Sequence, residues 1–406
     1  MLESFFTILE RKSYMTLLNI TDIPLKNKRV LIRLDLNVPL ENGRISSKNR
    51  IESSLPSIEY ALKSGAAVIL MSHLGRPNEG YFDKKYSLFT VANELSKILN
   101  IEVVLVENWL NGINILPGQI KLCENVRFNS GESSCDDLLS KKIARLCDIF
   151  VMDAFGVANR KHASTYGVAK YAPIVCCGKL VLSELRNLNQ VLQNPRYPLL
   201  AIVGGSKVSG KLKVLKNLAK KVNALILGGG IANTFLRARG FEIGKSLFEE
   251  SFLDFAVDLL DHAEGKSISI PLPVDVRVSK SFHKREVAYI KNVGEIEKDD
   301  IILDVGPKTE LNFKKFIYPS KTVLWNGPIG VFEFPHFESG TKTIAKLISE
   351  SQAFSLAGGG DTVSAIEKFK IKNKISYIST GGGSFLDFIE GKDLPAIRIL
   401  SDRNSK

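Results

Sequence analysis

At 406 residues the chain exceeds one typical domain, so two domains of about 200 residues each are the first expectation. An apolar fraction of 44% suits a soluble globular protein, and no run approaches the roughly 18 apolar residues of a membrane helix. The 55 Lys and Arg against 43 Asp and Glu leave a net charge of +12, which points to anionic partners. No basic block or tail with interleaved aromatics accompanies it, however, so a nucleic-acid patch is disfavoured.

Residues 1–14 fit no targeting segment: the apolar run Phe5–Leu9 is too short for a signal peptide, and Glu3 and Glu10 oppose a transit peptide. The stretch is read either as a short disordered tail or as preceding a true start at Met15, with the second preferred. Strands are expected over 28–38, 67–73, 102–106, 120–126 and 148–154, with helices over 87–99 and 136–145. The first strand closes on Arg33-Leu34-Asp35-Leu36-Asn37, whose alternation puts Arg33, Asp35 and Asn37 on one face. Arg50 follows. His73-Leu74-Gly75-Arg76 and Arg127 come directly after later strands, and Asn159-Arg160-Lys161-His162 closes the series. Arginine suits bidentate recognition of phosphate and carboxylate, so this set reads as a small-anion site, although a polar strand end is often only its wet side. The cysteines (Cys123, Cys135, Cys147, Cys176, Cys177) are odd in number and lack zinc spacing. They are expected to be buried small hydrophobes in a reducing, cytoplasmic setting.

A bridging helix is expected over 182–193, with Asn194-Pro195 ending it. Strands then recur over 199–203, 224–227, 322–325, 354–357 and 376–379, four of them running into glycine. Such turns let a phosphate approach the backbone and the free N–H groups of a helix start. Gly205 to Lys211 matches the first part of a P-loop, but Leu212 stands where a metal-holding hydroxyl would be. Asp361, after Gly358-Gly359-Gly360, is the candidate metal ligand, with a plain helix N-cap as the competing reading; Thr362 beside it could cap as well. Lys207 and Lys211, four apart, would share a face if the turn is already helical. Strand–helix alternation gives the fold class: α/β, two doubly wound domains with mostly parallel sheets joined by a hinge helix.

In this order RLDLNVP, SHLGRP, ENVRF, DAFG, GGSKVSGK, GGGIANTF, WNGPIGVFE, GGGDT and STGGGS closely resemble phosphoglycerate kinase, from about Met15 to the last helix. The resemblance implies a triose-binding domain over 15–181 completed by 390–406, a hinge helix over 182–198 and a nucleotide-binding domain over 199–389. It implies that Asp35, Leu36, Asn37, Arg50, His73, Leu74, Gly75, Arg76, Arg127 and Arg160 bind the substrate, with Arg50 on the transferring phosphoryl group. Lys207, Lys211, Glu333, Gly359, Gly360, Asp361 and Thr362 would bind the nucleotide, Glu333 at the ribose and Asp361 at Mg²⁺. Lys207, with Arg50, is implied in catalysis. The implied enzyme is a monomeric cytoplasmic phosphotransferase of glycolysis that moves a phosphoryl group between 1,3-bisphosphoglycerate and Mg-ADP, giving 3-phosphoglycerate and ATP, with no nucleic-acid or membrane partner. A carboxylate acceptor is already anionic, so no general base is required, and two half-sites on separate domains would have to close on each other. Asn159 replaces a frequent His of the family, Lys161 adds charge beside Arg160, and Ser384 and Asp387 are small departures in the last glycine-rich turn. The alternatives are another ATP-dependent small-molecule kinase on the same fold and a basic nucleic-acid-binding protein.

Overall fold

The computed structural model describes residues 17–405, so the expected extension over 1–14 lies outside the described residues. The chain divides into two compact units: one runs through Leu185 and resumes at Asp393, and the other spans Arg186–Lys392.

The first unit is built on β1 (Arg29–Leu34), a small hairpin β2 (Leu40–Glu41) and β3 (Arg44–Ile45), then β4 (Ala67–Met71), β5 (Val103–Val106), β6 (Ile120–Cys123), β7 (Ile149–Asp153) and β8 (Ile174–Cys177). Its main sheet has the order β5-β6-β4-β1-β7-β8 and is parallel throughout. Every residue of β4 and β7, and all of β1 but Arg29, is buried. That is the signature of strands covered on both faces, and it explains why they read as continuous apolar runs. The helices are α1 (Asn49–Lys63), α2 (Phe89–Leu99), α3 (Asp137–Ala144), α4 (Val168–Tyr171) and α5 (Lys179–Leu192). Val30, Ile32, Val68 and Leu70 of the sheet form one core with Ile51 and Ile58 of α1 and Val91 and Leu95 of α2.

Two expected strands end three or more residues early in the structure. β1 ends at Leu34, so Asp35 and Asn37 stand on the loop beyond it, and β6 ends at Cys123 before a 3-10 turn at Val126–Phe128. β8 was not anticipated, although Ile174–Cys177 is a short apolar run bounded by Pro173 and Gly178. The bridging helix expected over 182–193 begins earlier, at Lys179, because its first turn is anchored. Lys179 N donates to Ser57 Oγ at 2.8 Å, and Val181 N donates to Asp153 Oδ1, from the end of β7, at 3.1 Å.

The second unit contains β9 (Leu199–Gly204), β10 (Ala224–Gly228), β11 (Asp275–Ser279), β12 (Tyr289–Asn292), β13 (Ile301–Val305), β14 (Thr322–Asn326), β15 (Phe354–Ala357) and β16 (Tyr377–Ile378). The order β10-β9-β14-β15-β16 is again parallel throughout. A separate antiparallel sheet β12-β11-β13, absent from the sequence reading, makes "mostly parallel" the right description. The helices are α6 (Leu212–Leu218), α7 (Gly229–Ala238), α8 (Leu253–Gly265), α9 (Pro307–Ile317), α10 (Ser339–Glu350), α11 (Gly360–Lys368) and α12 (Gly383–Ile389).

The last helix, α13 (Pro395–Asn404), belongs to the first unit. It buries Ala396, Ile397 and Leu400, and Arg403 donates to the carbonyls of Ala169, Lys170 and Ala172 that α4 leaves free at its end. Four cysteines are buried as expected, whereas Cys135 is partly exposed, and none of the five is in a disulfide. Among the described residues no helix is long and apolar enough to cross a membrane.

Candidate active site

Parallel strands deliver their following loops to one edge, and there the first unit gathers its chemistry. Asp35, Leu36 and Asn37 follow β1; His73, Leu74, Gly75 and Arg76 follow β4; Arg127 follows β6 and Arg160 follows β7. Arg50 arrives from the first turn of α1, where Nη1 donates to Asp35 Oδ1 at 3.1 Å and to the carbonyl of Asn37 at 2.9 Å. Gly75 N donates to Asn37 Oδ1 at 2.7 Å, and the carbonyl of Gly75 accepts from Arg127. The loops after β1, β4 and β6 are thus bonded into one floor. Leu36 and Leu74 turn their side chains into the core, so only their backbones are open to a ligand.

Charge confirms the gathering. Burial, and then the charges of Arg33, Arg127, Arg160 and Arg50, hold His73 well below the usual imidazole value. His73 is therefore neutral at pH 7, 2% exposed, and its Nδ1 lies 3.5 Å from Arg33 Nη2. Burial followed by Arg160 and Arg33 lowers Arg127 to about 10, with Arg76 adding to the effect and Glu132 opposing it. So four guanidinium groups act on one neutral imidazole, and Arg76 joins them at Arg127. Crowded like charges of this kind favour a bound multivalent anion. Arg76 is the most exposed of the set and Arg33 the deepest. Lys161, expected to add charge beside Arg160, lies over the ring of Tyr166, 4.8 Å from its centroid. The sequence reading gave no role to the groups behind the arginines: Ser72 and Asn125, within SHLGRP and ENVRF, and Glu132 and Ser164. Ser72 Oγ accepts from Leu36 N, and Asn125 Nδ2 donates to the carbonyls of Leu74 and Tyr86. Their proximity comes from the topology, which local spacing does not report.

In the second unit the chain order reverses between β9 and β14. Lys211 sits at that switch point. Its Nζ donates to the carbonyl of Gly204 at 2.7 Å, to the carbonyl of Asn326 at 2.9 Å and to Asn326 Oδ1 at 2.6 Å. Burial lowers its ammonium to about 8, against the pull of Asp361. Lys207 is exposed and precedes the 3-10 turn Ser209–Lys211, so the two lysines do not share a helical face as the spacing suggested. The turn is held by Ser209, whose N and Oγ both donate to Glu249, at 2.8 and 2.7 Å. Gly204 is required by contact: a Cβ there would lie 1.7 Å from the carbonyl oxygen of Pro328.

A cleft of about 440 Å³ opens beside these strand ends. Gly205, Gly229, Gly230, Glu333 and Asp361 line it together with apolar Leu247, Val276, Leu303 and Val331. Such a mixture suits a ligand with an apolar ring and an anionic tail. Asp361 is the second residue of α11 and exposed, while the cap position is Gly359, at φ 98° and without a side-chain cap. The competing N-cap reading therefore fails, because the cap position is Gly359. Gly360 opens the helix, and the buried Thr362 Oγ1 accepts from Gly327 N at 2.7 Å. The one carboxylate cluster among the described residues with metal-like spacing, Glu297, Asp299 and Asp300, is bridged by Lys280 and Lys291 and belongs to neither site.

A family model described as phosphoglycerate kinase matches residues 20–392. A phosphoglycerate kinase of Francisella philomiragia is 55% identical over 389 residues, 96% of this chain and 99% of the relative. That of Legionella pneumophila is 54% identical over 96% of this chain and 98% of its own length. The solved phosphoglycerate kinase of Coxiella burnetii superposes with a TM-score of 0.91 at 50% identity, covering 95% of this chain and 99% of that one. The Pyrococcus horikoshii enzyme does so with a TM-score of 0.80 at 30% identity. Two parallel-sheet units, one ending in arginines and the other in glycines, are the architecture of a known group of enzymes: the chain belongs to the phosphoglycerate kinase family.

Proposed function

We propose that the chain catalyses the reversible transfer of a phosphoryl group from 1,3-bisphosphoglycerate to ADP, giving 3-phosphoglycerate and ATP, as a monomer in the cytoplasm. The observation that carries this reading is the gathering of Arg33, Arg50, Arg127 and Arg160 around a neutral His73, with Arg76 beside Arg127. The acceptor of the ATP-consuming direction is a carboxylate, which needs positioning and charge neutralisation and no deprotonation.

In this reading the first unit is the triose-binding domain, and α5 is the hinge helix leading to the nucleotide-binding domain. Asp35 and Asn37 meet the hydroxyl and carboxyl end of the glycerate, with Leu36, Leu74 and Gly75 contributing backbone, while Arg76, Arg127 and Arg160 hold its phosphate beside His73. Arg50, less buried than Arg33 and tethered through Asp35 and the carbonyl of Asn37, faces the phosphoryl group in flight. The cleft of the second unit takes the nucleoside, Glu333 accepts from the ribose, and the starts of α7 and α11, with Gly359, Gly360 and Thr362, meet the phosphates. Lys211 and the exposed Lys207 neutralise them. Asp361 fits Mg²⁺, which commonly takes one protein carboxylate together with nucleotide phosphates; the ion would neutralise phosphate charge. In this reading donor and acceptor are held by different units.

A coupled assay of ATP and 3-phosphoglycerate turnover tests the reading. The wild type should turn over, and Arg50→Ala should lose about two orders of magnitude or more in kcat, the scale of one lost charge-stabilising group. An inactive wild type would sink the function, and an unimpaired variant would sink the role of Arg50.

A further inference from the structure

Behind the arginines of the first unit stands a carboxylate that the proposed reaction leaves without a role. Glu132 is 0% exposed. Its Oε2 accepts from Ser164 N at 3.0 Å, its Oε1 accepts from Ser164 Oγ at 2.6 Å, and its backbone carbonyl accepts from Ala163 N at 2.9 Å. Ser164 Oγ in turn accepts from Arg33 Nε at 3.0 Å, and His162 Nδ1 lies 3.6 Å from Glu132 Oε1. Glu132 belongs to the loop after β6 that carries Arg127, and Ser164 to the segment after β7 that carries Arg160. One side chain therefore ties two arginine-bearing loops to each other and to the buried Arg33.

Its charge acts on the same groups. Burial disfavours the charged forms of Arg33 and Arg127, and Glu132 opposes that effect in both. Coulomb attraction alone would give Glu132 the opposite influence on an anionic ligand, because a negative charge behind the pocket weakens its pull. The two effects differ in sign, which makes them separable.

We propose that Glu132 is a positioning residue for the phosphate end of the triose, fixing Arg127 relative to Arg160 so that both meet one phosphate. This rests on the assignment of those two arginines to the substrate phosphate. Glu132→Gln keeps the size and one acceptor but loses the second strong acceptor and the charge. Its KM for 3-phosphoglycerate should rise about tenfold, while kcat and KM for ATP stay within about twofold, the pattern of lost ground-state binding. An unchanged KM would mean a purely structural residue, and a lowered KM a purely electrostatic one; either overturns the proposal. Should Glu132→Gln fail to fold, Ser164→Ala breaks the same tie more gently. It should raise the same KM about threefold with kcat kept, and an unchanged value again overturns the proposal. Arg127→Ala, assayed alongside, separates the two readings. If it leaves KM for 3-phosphoglycerate unchanged, the assignment of the arginines has failed, whatever Glu132 does.

Discussion

Lys211 shows how much one side chain can carry. Its ammonium is bonded to Gly204 and Asn326 at the ends of two neighbouring strands, yet burial leaves it near 8, far below the ordinary 10.5. A polyphosphate arriving beside it favours the charged form and pulls that value back up. Above pH 8 nucleotide binding should therefore take up a proton, and affinity should fall as pH rises through this value. Calorimetric titration at pH 8.5 in two buffers of different ionisation enthalpy should register uptake of up to about one proton, and Lys211→Arg should abolish it. Equal heats in both buffers for the wild type would overturn the account. In the folded chain without nucleotide the sign is the reverse of the usual paired-lysine case. The unfolded chain binds the extra proton between about 8 and 10.5, so this group makes the fold more stable as pH climbs across that window.

Asp153 ends β7 and caps α5, and neither element explains it alone. Burial raises its carboxyl to about 6, against the pull of Ser57 and the amides of Val181 and Leu180. The folded chain thus holds this proton more tightly than the unfolded one, and the stability it lends is lost as pH rises from 3.8 through about 6. Asp153→Asn has no such titration. Its unfolding free energy relative to wild type should climb between pH 4 and 6 and level off above, a change of at most about 3 kcal/mol. A flat difference would show that the carboxyl does not titrate there. The helix it caps was visible in the apolar spacing of Leu185, Leu188 and Val191, but its first turn was not, because the caps come from Ser57 and Asp153, far away in sequence. The same division runs through the fold. Strands buried on both faces, such as β4 and β7, announce themselves as apolar runs. The β12-β11-β13 sheet does not: its edge strand keeps Tyr289 and Ile290 exposed and no glycine-rich turn follows it. Arg76, Arg127 and Arg160 were legible because each lies in a loop after a strand, whereas Glu132 and Ser164 meet only through tertiary contact.

The two units divide the labour by charge type: guanidinium groups on loops in one, backbone N–H groups and a buried ammonium in the other. This matches the ligands proposed for them, a small triose phosphate needing bidentate forks and a polyphosphate tail needing a cradle of amides. The first unit depends on residues at both ends of the chain. Burial of Ile397 and Leu400 in α13 is worth about 3–6 kcal/mol to it. Removing residues 395–406 should therefore lower the unfolding temperature of the first unit and abolish turnover, while ATP still binds the second with affinity within about twofold of the full chain. Loss of ATP binding as well would show that the second unit leans on the first.

The return of α13 also sets an order of events during synthesis. On the ribosome the first unit emerges early but lacks the helix that covers β8 and ends α4, and that helix appears only after all of Arg186–Lys392 has been made. The second unit, contiguous in the chain, can finish folding while the first still waits with apolar surface open. The earlier-born half of the protein is then the later to mature, and it is the half that a chaperone would have reason to hold.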